Sequence, residues 1–180
     1  PHRGRERPKD RVLLSSGGQS MIYYIMKGHV FTIFLSLLHL TSVSFPSKVT
    51  DYVGGQEADF KIYELNKGKS LVFEPKRKGI NRNFIAFLRD EKFHFNVGYD
   101  EEISNKDIEI RSGETCSYFT LIKETDTFQL FECPKSLFFV NKAKIPAKVN
   151  DLIVTDKSYL SKGPPIYLSG KMIYYHGRSF

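Results

Sequence analysis

The sequence predicts an all-β fold, a two-sheet sandwich or a barrel, from three observations. Fifteen Phe and ten Tyr with no Trp in 180 residues make an aromatic-rich composition suited to strands. From Asp59 onward, apolar and polar side chains alternate in short runs, the period of a half-buried strand. Nowhere does an apolar stripe at i, i+3, i+4, i+7 run long enough for a substantial helix.

Residues 1–20 are basic and poor in apolar side chains, and they lack an initiator Met, which predicts disorder or upstream sequence. Residues 21–44 have the layout of a secretory signal peptide. Met21 offers a start, Lys27 a charge, residues 30–40 a short apolar run, and Ser42 and Ser44 small residues before a cleavage after Ser44. The run falls short of the roughly 20 residues a membrane span needs. An uncleaved signal anchor and a buried helix are the alternatives. Cleavage would leave a secreted chain of residues 45–180, one domain long, with no integral membrane span.

The strands then follow in order. "FKIYEL", "KSLVFEP", "NFIAFLRD", "KFHFNVGYD" and "KDIEIRS" lead into "TCSYFTLI", "TFQLFEC", "SLFFVNK", "VNDLIVTD", "PIYLSG" and "KMIYYHG". Gly, Pro, Asn or Asp separates many of them. Cys116 and Cys133 form an even pair that can close one disulfide, and no Cys/His spacing suggests zinc. The sequence predicts neither cofactor nor metal.

The net charge of +7 does not make a nucleic-acid stripe: six Lys/Arg against two Asp/Glu in residues 1–44 account for +4 of it. The remaining charges alternate in sign, as on a solvated surface. "EPKRKGINR" is a basic cluster that could attract sulfated glycans or acidic headgroups, though a charged loop explains it as well. "DEE" at 100–102 fits a solvated turn. No nucleophile elbow accompanies a histidine, so an enzyme is not expected.

Alternation also assigns faces. In "KFHFNVGY" the aromatic set points inward, so His94, Asn96 and Gly98 share an outer face two residues apart. In "KDIEIRS" the isoleucines point inward and Glu109 and Arg111 outward. If these two strands form a hairpin through "DEEISN", His94 and Asn96 stand beside Arg111, a set of donors and acceptors able to fix sugar hydroxyls.

The run from "ELNKGKSLVFEP" through "KFHFNVGYDEE" and "DIEIRSGE" to "VNDLIVTDKSYL", covering residues 59–160, resembles the galectin family of β-galactoside-binding lectins. Phe128, Leu130, Phe139, Pro146, Val149, Leu152, Val154 and Leu160 stand in suitable places for the family's C-terminal half. The resemblance implies an antiparallel jelly-roll sandwich. It also implies glycans on glycoproteins or glycolipids as partners, and possible homodimers. His94 and Asn96 match the family's His-x-Asn-x-Arg, but Gly98 replaces the Arg, and the stacking Trp is absent. Arg111, Glu114 and Tyr118 are the nearest replacements, with Tyr118 as the candidate ring. Two functions follow as expectations. One is a carbohydrate-binding protein with altered or weakened glycan recognition; the other is a galectin-fold protein that has lost sugar binding and acts through protein contacts.

Overall fold

The computed structural model describes residues 21–175 and 178–180. The segment expected to be disordered, 1–20, lies outside the described residues. In chain order the strands are β1 (Met21–Ile25), β2 (Val30–Leu35), β3 (Thr41–Ser44), β4 (Val49–Gly54), β5 (Phe60–Leu65), β6 (Ser70–Pro75), β7 (Asn81–Leu88), β8 (Lys92–Tyr99) and β9 (Asp107–Ser112). They continue as β10 (Thr120–Glu124), β11 (Phe128–Cys133), β12 (Ser136–Asn141), β13 (Ala147–Val149), β14 (Leu152–Val154), β15 (Lys157–Leu160), β16 (Ile166–Leu168), β17 (Lys171–Tyr175) and β18 (Arg178–Ser179). The chain is all-β, as expected, with no α-helix among the described residues.

The strands make four sheets around two cores. The sheet β1-β9-β3-β6-β5 faces the sheet β2-β8-β7-β4 across a core that includes Phe31, Phe73, Phe84 and Phe95. Phe95 lies 5.1 Å from Phe31 and 5.0 Å from Phe84 between ring centroids, spacings that add to plain apolar burial. The sheets β10-β11-β12-β15 and β14-β13-β16-β17-β18 enclose a separate core around Leu130, Phe139, Val149 and Ile173. Residues 45–180, expected as one sandwich, contribute to both of these layered units. Period-two alternation says which face of a strand is dry but not which strands share the dry space.

Residues 21–44 also take part in the sheets. The run that reads as a signal peptide forms three strands with alternating burial: Tyr23 and Ile25, then Phe31, Ile33 and Leu35, then Thr41 and Val43 face the core. β1 and β2 sit at the edges of the two facing sheets, while β3 lies between β9 and β6. Cleavage after Ser44 would pull an interior strand out of the first sheet.

The layers are also not purely antiparallel. β1 and β3 each run parallel to β9, and β2 runs parallel to β8. Parallel neighbours need long crossovers, and here the intervening strands supply them by passing between the sheets.

Backbone bonds tie the two units together. Tyr24 and Lys162 exchange N–H to carbonyl bonds of 2.7 and 2.8 Å, and the Met26 amide donates to Ser161 Oγ at 2.9 Å. Gly163 lies where an added Cβ would meet the Tyr23 ring at 2.6 Å, so only glycine permits this approach. Cys116 and Cys133 are joined in a disulfide that fastens the connecting segment to the end of β11.

Candidate functional site

His94, Asn96 and Gly98 project from the outer face of β8, while Phe93, Phe95 and Val97 are buried on the other. The strand lies between β2 and β7, so its outer row gains neighbours on both sides. Val30 and Ile85 flank His94, Thr32 and Asn83 flank Asn96, and Phe34 and Asn81 flank Gly98. None of the side chains of Thr32, Asn83, His94 or Asn96 is committed to a hydrogen bond with another described residue. Three polar side chains thus stand in register across three strands with their donors and acceptors unused.

Gly98 has a structural role in this face. A Cβ at that position would come within 3.1 Å of Cδ1 and Cε1 of Phe34. The half-buried Phe34 ring lies over the glycine and forms an apolar plate next to the Asn96 row. The plate's backbone is fixed as well, because the Phe34 amide donates to Asn105 Oδ1 at 3.2 Å. Sequence reasoning missed Phe34 because it sits inside the signal-like run. Its spacing of two from Thr32 was the available clue.

The outer row runs into a cleft of about 720 Å³ at one end of the first unit. His94, His29, Lys27, Arg89 and Lys92 are among its lining residues, and it forms where the β1–β2 turn, the β7–β8 turn and the end of β9 meet. Both turns are closed by backbone bonds, His29 N–H to the Met26 carbonyl at 3.0 Å and Leu88 N–H to the Glu91 carbonyl at 2.8 Å. Partial burial pushes the His29 imidazole below its ordinary pKa, so it is neutral at pH 7.

The other expected site residues do not join this face. β8 pairs with β7 and β2, not with β9, so the expected hairpin is absent and Arg111 belongs to the opposite sheet. There Arg111 pairs with Glu109 at 2.9 Å on that sheet's own outer face, with the core between it and His94. Glu114 is exposed and pairs with Lys135 at 3.3 Å, and Tyr118 is 89% exposed in the segment linking the two units. The structure brings His94 and Asn96 together and separates the remaining three from them.

The basic cluster at 76–82 also resolves into structure. Asp59, almost wholly covered, accepts from Arg77 Nε at 2.7 Å and Arg82 Nε at 2.6 Å, and Lys78 pairs with Glu101 at 3.4 Å. The Arg82 hydrogen bond, helped by Arg77, holds the Asp59 carboxyl below its ordinary value of 3.8 against the opposing effect of burial. A carboxyl depressed in the folded state contributes stability above its unfolded pKa and loses it as pH falls through the lower folded value. The stability of the wild type should therefore decline below about pH 3.8. Asp59→Asn, less stable at pH 7, should have a flatter profile in that acid window. Urea midpoints between pH 2 and 7 check this, and parallel profiles would contradict it.

The "DEE" turn is a solvated turn as expected: Asp100 Oδ1 accepts the amides of Glu102 and Ile103. Among the described residues no group of three or more His, Cys, Asp or Glu could hold a metal ion, and no helix is long and apolar enough to cross a membrane. Compared with known proteins, the sequence matches no family model and no curated protein.

Proposed function

We propose that this protein binds carbohydrate on the outer face of β2, β8 and β7, with recognition altered from the β-galactoside type. One observation carries the reading: uncommitted His94, Asn96, Asn83 and Thr32 stand in register beside a Phe34 plate seated on Gly98. Sugars need several oriented hydrogen bonds to hydroxyls and an apolar surface against the ring's C–H face. The resemblance to galectins supports the same reading through His94 and Asn96 alone. The Cys116–Cys133 disulfide supports an extracellular setting.

A glycan array probed with the full chain tests the proposal. Binding to a subset of glycans is expected, with His94→Ala, Asn96→Ala and Phe34→Ala each weakening it tenfold or more, about 1.4 kcal/mol per factor of ten. Phe34→Trp should retain binding, and Arg111→Ala should not change it. Signals at background, or signals indifferent to all three alanine variants, overturn the reading.

A second reading, action through protein contacts, is favoured by a different surface. Phe119 stacks on Phe138 at 4.7 Å, and Phe138 packs against Tyr159 at 5.0 Å on the outer face of the β10-β11-β12-β15 sheet. Binding of a protein that Phe119→Ser abolishes, with a blank glycan array, would select that reading.

A further inference from the structure

We infer that the cleft beside His94 accepts an anionic substituent, a sulfate or a carboxylate, on the glycan held by the β8 face; this rests on the carbohydrate reading. Lys92 begins β8 on the outward row that continues through His94 and Asn96, so a glycan lying along that row ends at a cation. Lys27 on the β1–β2 turn and Arg89 on the β7–β8 turn line the same cleft. None of the three forms an ion pair with a described residue, in contrast to Arg77, Arg82 and Arg111, which all do.

Asp90 and Glu91 also line the cleft, and they too are unpaired. With His29 neutral, three cations face two carboxylates, and a net positive end remains. The charge is exposed, so the attraction is modest and sensitive to salt. An anionic group fixed by the sugar contacts is presented to those cations at high effective concentration, which makes even a modest attraction selective.

The test compares N-acetyllactosamine, its 6-sulfate and its sialylated form on the full chain at low salt. At least one anionic form should bind about threefold or more tighter than the neutral parent at low salt, and the comparison of the two tells sulfate from carboxylate. That preference should shrink at 0.5 M NaCl and fall towards unity in the Lys27→Gln/Lys92→Gln variant. It should widen in Asp90→Asn/Glu91→Gln. Equal binding of all three forms, or a preference that survives in the lysine variant, overturns the inference and leaves the carbohydrate reading standing. Failure to bind any of the three also overturns it, and the wider array decides the carbohydrate reading separately.

Discussion

A chain beginning at residue 45 should give no cooperative unfolding transition under conditions in which the full chain gives one. The truncation removes β3 from between β9 and β6, and with it Tyr23, Ile25, Phe31, Ile33, Leu35 and Val43 from the first core. Buried side chains of this size contribute about 1.5–3 kcal/mol each, so the loss is on the order of 10 kcal/mol. Net stabilities of whole domains are only about 5–15 kcal/mol. The loss also leaves three strands, β9, β6 and β8, with exposed edges, which favour aggregation over refolding. Urea titration followed by circular dichroism checks the result. A truncated chain with the midpoint of the longer one would show that residues 21–44 are dispensable, as a cleaved signal would be.

Why those residues read as a signal follows from their outward positions. In "VFTIFL" the buried set Phe31, Ile33 and Leu35 alternates with Val30, Thr32 and Phe34, and two of those three are apolar as well. A half-buried apolar outer face erases the polar beat by which a strand is recognised. Where the outer residues are polar the strand is legible: in "KFHFNVGY", which is β8, Lys92, His94 and Asn96 alternate with the buried Phe93, Phe95 and Val97.

The site followed the same division. That His94 and Asn96 share an outer face is legible in the sequence because side-chain direction depends only on the strand's own period. Arg111 stands beside them only if sequence neighbours pair, and the chain instead crosses to the other sheet between β8 and β9. Strand order is a property of tertiary packing, and nothing in the turn "DEEISN" encodes it. The same limit concealed the parallel pairing that brings Phe34 over Gly98.

Replacing Asn105 by Ala should lower stability by about 2–4 kcal/mol, because two buried phenols and the part-buried Phe34 amide each lose one hydrogen bond, while Tyr23 and Tyr175 keep theirs to each other. Asn105, 3% exposed, donates through Nδ2 to the hydroxyls of Tyr23 at 3.0 Å and Tyr175 at 2.9 Å, and accepts the Phe34 amide through Oδ1 at 3.2 Å. Tyr23 belongs to the first core and Tyr175 to β17 of the second unit, so one carboxamide holds a joint between them. Tyr175 in turn donates to the Ile103 carbonyl at 3.1 Å. Burial pushes both phenols above their ordinary pKa, so they remain neutral hydrogen-bonding groups well into the alkaline range. Because Asn105 also anchors the Phe34 backbone, the variant should weaken glycan binding along with stability. A double-mutant cycle with Tyr175→Phe separates the joint from general destabilisation: groups in one network couple by about 0.5–3 kcal/mol, whereas independent sites add. Additive urea midpoints, or a loss below about 1 kcal/mol for Asn105→Ala, would mean that the two units are held together by their backbone bonds and apolar contacts alone.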